Sequence, residues 1–188
     1  ALSALTAGFG FFETQMIKTE LAMEALNSRF NSVGLGGQKF GETMEFITTL
    51  SRNLGLDLQT TAASYSKLTA AAQGSNLEGQ GVKNIFIAVS EASAAMRLSV
   101  DQTTGAFKAI EQMISKGTIQ AEELRGQLGE RIYGAFQRTA RAVGVTTKEL
   151  GKMLKAGDAL ADDVLPKLSL ELHTTFSEVA KENAFSLR

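Results

Sequence analysis

Apolar residues along this chain recur at intervals of three and four, with no sustained alternation. From about Phe9 to Val33 they fall at Phe12, Met16, Ile17, Leu21, Met23, Leu26 and Phe30, the positions of one helical face. Gly34-Leu35-Gly36-Gly37 stops that helix, since glycine is common just past a helix end. A second helix is predicted from about Gln38 to Leu54, with Phe40, Met44, Ile47, Thr48 and Leu50 inward and Gly55 closing it. A third spans about Leu58 to Gln73 and ends at Gly74-Ser75-Asn76. A fourth runs from about Gly79 to Arg97, with Val82, Ile85, Phe86, Val89 and Met96 on its apolar side. A fifth covers about Val100 to Lys116 and ends at Gly117. Shorter helices follow at about Ala121 to Leu128, Ala135 to Val143 and Thr147 to Lys155, and then a long one through Leu165 to Glu182. Pro166 is placed near the start of that last helix, where its missing N–H costs little. Ile85-Phe86-Ile87 has strand-like composition but lies inside a longer stretch of helical period, so helix is preferred on length. The expected fold is all-α, a compact bundle of about seven to nine helices with glycine-rich turns.

The helix starts carry their own chemistry. Val145-Thr146-Thr147-Lys148-Glu149-Leu150 combines a Thr cap, a Glu three residues on and a flanking apolar pair, which is a capping box with a hydrophobic staple. Ser99 with Gln102 repeats the box, and Asp57 is a weaker cap. Ile119 to Leu124 repeats the staple spacing, although Gln120 caps poorly. No constant period of about 20–50 residues links these starts, so a solenoid is unsupported.

Composition mainly removes chemistry. The 188 residues include no Cys, no Trp, one proline (Pro166) and one histidine (His173). Disulfides, thiolate catalysis, cysteine-ligated metals and multi-histidine metal sites are excluded. His173, alone between Leu172 and Phe176, reads as a surface or half-buried packing residue. Gly34-Leu35-Gly36-Gly37 lacks the Lys-Ser/Thr of a phosphate loop and follows a helix instead of a strand, so it reads as a helix–helix turn. Glu122-Glu123 and Asp162-Asp163 read as first-turn acids that complement a helix dipole. A wall-degrading enzyme would need a pair such as Glu122 and Asp162 to converge in a cleft. The expected catalytic, metal and cofactor residues are none. No run of about 20 apolar residues is present, so no membrane span is expected in this segment. The chain begins at Ala1, which reads as a piece processed or cut from a longer protein.

Net charge is −1, from 19 Lys and Arg against 20 Asp and Glu. That balance hides a basic stretch. Between Arg125 and Lys155 lie seven cationic side chains and two carboxylates, a local excess of +5. Within it, Phe136 to Lys155 fits a helix-turn-helix, with Ala140 at the helix approach, Gly144 in the turn and Leu150 on the second helix's apolar face. Such a unit would present Arg138, Arg141, Thr147, Lys148, Lys152 and Lys155 to DNA, with phosphate contacts dominating affinity. An ordinary helical hairpin with a solvated basic face fits the same residues.

One long stretch is more specific. Met113 to Ile132, reading MISKGTIQAEELRGQLGERI, resembles the signature of the N-terminal domain of phage tail tape measure proteins. The likeness continues through Gly134-Ala135-Phe136, Ala140 to Leu150, Met153-Leu154 and Ala161 to Leu168. Upstream it takes in Tyr65-Ser66-Lys67-Leu68, Ala70-Ala71-Ala72 and Leu77-Glu78-Gly79. Tyr133 departs from it, standing where the family usually carries proline. The resemblance implies a domain over 37–176, preceded by an amphipathic helix over 1–36 and followed by a helix end or tail over 177–188. It implies a non-enzymatic assembly module of a phage or prophage, contributing to tail assembly and tail length. The implied partners are tail tube, tail assembly chaperone and tail tip proteins, and the chain itself as a homo-oligomer. The implied location is the tail lumen of the virion, after the host bacterial cytoplasm during assembly. The resemblance transfers no catalytic residue. It gives Arg125, Gly126, Gly129, Glu130 and Arg131 a structural reading, as small residues for close helix approach and charges paired across a turn.

Overall fold

The computed structural model describes residues 20–185; the part of the first predicted helix before residue 20 lies outside them. Among the described residues the chain forms nine helices, one of them a π-helix. Helix α1 covers 20–32. It is followed by α2 (Gln38–Leu54), α3 (Leu58–Ala72), α4 (Gln80–Ala95), α5 (Val100–Lys116), the π-helix (Glu122–Leu128), α6 (Ala135–Val143), α7 (Thr147–Ala156) and α8 (Ala161–Phe185). One isolated bridge, Thr118 with Leu160, is the only strand-like pairing among the described residues.

The chain divides into two compact units, 1–44 and 45–188, with the boundary inside α2. In the first unit, Leu26 and Phe30 of α1 are buried. The Phe30 and Phe40 rings lie 5.8 Å apart, and Leu35 N–H closes the end of α1 on Phe30 O at 2.8 Å.

The second unit is organised around Phe86 of α4, which is fully buried. Its ring stands 4.8 Å from Tyr65 of α3, 5.1 Å from Phe107 of α5 and 6.1 Å from Phe46 of α2. Each pair is within the range in which offset or edge contacts stabilise beyond burial alone. On α2 the inward face is rotated from the predicted one. Ile47, Ser51 and Leu54 are buried, Phe40, Met44 and Leu50 are half-buried, and Thr48 faces solvent. Phe46, absent from the predicted face, enters the aromatic cluster, four residues before Leu50 and eight before Leu54 on the same side of α2.

The broadest seam lies between α4 and α8, which run parallel. Asp162 accepts from Asn76 N just before α4, His173 meets Glu91, and Asn183 donates to the Ala94 and Ala95 carbonyls at the far end. Asn183 thereby caps the last turn of α4 from another helix. Small residues on α4, including Ala88 and Ala92, are buried.

Local caps form where expected. Ser99 and Gln102, and Thr146 and Glu149, make complete capping boxes, and Asp57 accepts from Thr60 N at 2.8 Å. Gly117 ends α5 in the left-handed region at φ 69°, a conformation glycine adopts without a Cβ penalty. That turn feeds the bridge, where Ile119 N–H meets Ala159 O at 2.8 Å and Ala161 N–H meets Gly117 O at 2.9 Å. The last helix begins at Ala161, earlier than Pro166 suggested. Pro166 is its sixth residue, beyond the first turn, and cannot donate to the Asp162 carbonyl one turn back.

Candidate functional site

The longest stretch that carries the resemblance builds one region of the second unit: the end of α5, the π-helix, and α6, α7 and the start of α8. The π-helix replaces the predicted α-helical turn. Its wider winding brings Gly129 against its own chain, so that a Cβ there would collide with the Arg125 carbonyl. Gly126 has open space around it. The close approach at Gly129 is therefore within one turn and not between helices.

Charges in this region pair differently from the sequence reading. Glu123 is 1% exposed and is held by Lys116 at the end of α5, an ion pair across the turn made by Glu123, not Glu130. Its second oxygen, Oε2, has no hydrogen-bond partner. Arg131 donates to the Gln127 carbonyl and lays its guanidinium where a Cβ on Gly105 would stand. Gly105 of α5 is thus the glycine that permits contact between elements. Arg125 places its guanidinium 3.7 Å from the centre of the Phe136 ring, a cation–π geometry. Tyr133 is 77% exposed in the turn before Gly134.

The helix-turn-helix pattern is present as α6, a turn at Gly144 and α7, with Ala140 and Leu150 buried. The residues assigned to DNA differ in their surroundings. Arg138 donates to Thr175 Oγ1 at 3.1 Å, lies 4.6 Å over the Phe176 ring and stands 3.8 Å from Glu171. Arg141 is 3.5 Å from the same Glu171 carboxylate. Both arginines are therefore directed to α8. Thr147, Lys148, Lys152 and Lys155 remain exposed on α7. At the α7 start, hydrogen bonds from the Thr146 backbone and hydroxyl hold the Glu149 carboxyl below its usual pKa.

Glu122 is exposed, while the half-buried Asp162 carboxylate accepts from the Asn76 backbone. Among the described residues, no three His, Asp or Glu side chains are grouped so as to hold a metal ion, and no helix is long and apolar enough to cross a membrane.

His173 is not merely a packing residue. Its Nδ1 lies 2.6 Å from Glu91 Oε2, and the residue borders an open groove between α4 and α8 lined also by Ile87, Pro166, Ser169 and Leu170. Glu91 is buried, and burial pushes its carboxyl above the usual value of 4.5. The hydrogen bond and charge of His173, and the charge of Lys181, oppose that rise; Glu178 adds to it. The sequence carried a signal here, because Glu91 is the sole charge between Asn84 and Met96. A carboxyl raised in the folded state contributes stability that is full below its unfolded value and is lost as pH rises through the folded one. Glu91→Gln is thus expected to unfold at a higher urea midpoint than the wild type at pH 7.5, a gain of ~1 kcal/mol or less in unfolding free energy. The gap should close as pH falls toward 4.5. An equal gap at both pH values would refute the assignment.

A family model described as tape measure protein matches residues 14–186. The chain belongs to the tape measure protein family. It is 31% identical over 185 residues to a protein named "Probable tape measure protein" from Salmonella phage Felix O1 (isolate Felix O1-VT1), covering 98% of this chain and 25% of that relative. The chain thus spans about a quarter of the relative's length. No solved structure matches. Tape measure proteins are structural components of the phage tail and not an enzyme family, and the matched span includes the π-helix, the Lys116–Glu123 pair and the α6–α7 hairpin.

Proposed function

We propose that this chain is an assembly domain of a phage or prophage tail tape measure protein, contributing to tail formation and tail length. The observation that carries the reading is the family match, which extends over nearly all of the chain. The fold is compatible with it. The second unit has a consolidated aromatic core, and its buried charges are paired for structure: Glu123 with Lys116 and Glu91 with His173. In this reading the partners are tail tube, assembly chaperone and tail tip proteins, together with further copies of the chain. The domain works in the host cytoplasm during assembly and resides in the tail lumen afterwards. Quantitative peptide mass spectrometry of purified tails tests the location. Peptides from residues 45–188 should be recovered in a fixed ratio to the tail tube protein, and tails devoid of them would exclude the location.

A further inference from the structure

With Arg138 and Arg141 tied to Glu171, the positive charge left on the hairpin is concentrated on α7. Lys148, Lys152 and Lys155 are exposed and fall at i, i+4 and i+7, so they share one face roughly 10 Å long. That face is opposite the buried Leu150 and Leu154. None of the three lysines is ion-paired among the described residues, and the carboxylate of α7, Glu149, is bound to Thr146. Among the described helices, α6 is the one whose backbone lies close to α7. The Arg125 guanidinium reaches Gly151, where a Cβ would stand 3.4 Å from its Nη2, and adds a fourth positive charge at the edge of the stripe.

We propose that this face of α7 docks an acidic protein surface on another tail component, with carboxylates at helical spacing opposite Lys148, Lys152 and Lys155. Charge complementarity carries the choice of occupant. Like charges spaced one turn apart repel one another, and an acidic partner relieves that repulsion while its own charge steers the encounter. Duplex DNA fits less well. A groove-reading helix presents its N-terminal residues to the bases, and here that turn carries the Glu149 carboxylate. The first helix, which would cross the phosphates, has its arginines held by Glu171.

The proposal rests on the assembly reading, and its test separates the two. The triple variant Lys148→Glu/Lys152→Glu/Lys155→Glu is introduced into the parent gene, beside a Lys→Gln triple variant and an in-frame deletion of residues 45–188. Tails are then counted by electron microscopy. Charge reversal should lower tail yield about tenfold and the Gln variant by less, with the melting of the 188-residue chain unchanged for the Gln variant. Second-site Asp or Glu to Lys changes in another tail gene should restore the yield of the reversal variant. Wild-type yield from both Lys variants, with tails lost in the deletion, would overturn the docking surface alone. Normal tails in the deletion would overturn the assembly reading as well. A mobility shift of duplex DNA at physiological salt, lost on charge reversal, would replace the acidic protein by DNA.

Discussion

Phe86→Ala should cost the chain about 3–5 kcal/mol of folding stability, the usual range for deleting a fully buried aromatic ring. The ring has no exposed area and is bordered by Tyr65, Phe107 and Phe46 from three other helices. These aromatic neighbours are large and mutually packed, so they cannot collapse into the vacated volume without leaving their own contacts. A loss of that size lowers the melting temperature by roughly 10 °C in a chain of this length. Urea denaturation checks it, with the midpoint falling and the slope unchanged. Leu170→Ala, at a side chain 66% exposed on α8, should change stability by less than ~0.5 kcal/mol. Equal effects at the two positions would contradict the placement of the core.

Lys116→Met should be the most damaging change near the π-helix, with a loss of about 3 kcal/mol at neutral pH. It strands the Glu123 carboxylate, which is 1% exposed and already has one oxygen without a partner. Lys116 itself is 42% exposed, so water reaches one side of the pair and keeps the loss at the lower end of the range for broken buried pairs. The double variant Lys116→Met/Glu123→Leu removes both charges and should return to within ~1 kcal/mol of the wild type. A double variant as unstable as the single one would show that the carboxylate has a role beyond its pair, and a stable single variant would show that Glu123 is not confined.

Much of this architecture is written locally in the sequence. Asp57, Ser99 and Thr146 each set a helix start with their own side chains, and Gly117, Gly144 and Gly157 each follow the helix they end. Such signals act within a few residues, so α2, α3, α5 and α6 fall within a residue or so of where periodicity and caps place them. What was not legible depends on partners distant in sequence. Phe46 contacts Tyr65 and Phe86 on two other helices, partners that its own segment does not reveal. The π-helix over Glu122–Leu128 has no compositional mark, and its wider backbone winding appears only in the folded chain. The ion pairs of Arg138 and Arg141 with Glu171, about thirty residues away, have no local signal either. Glu91 is half legible: its isolation in an uncharged run marks it, while its partner His173 lies 82 residues on.

The family assignment and the geometry agree on a structural role. The charged side chains that the fold buries, Glu91 and Glu123, each serve a contact between helical elements. The exposed lysines of α7 face outward from a unit whose core is complete without them.

The most direct measurement is the length and number of tails made by a phage whose parent gene lacks the codons for residues 45–188. If the chain is a tape measure assembly domain, electron micrographs should show tails absent or of aberrant length. Tails of normal number and normal length would contradict the account.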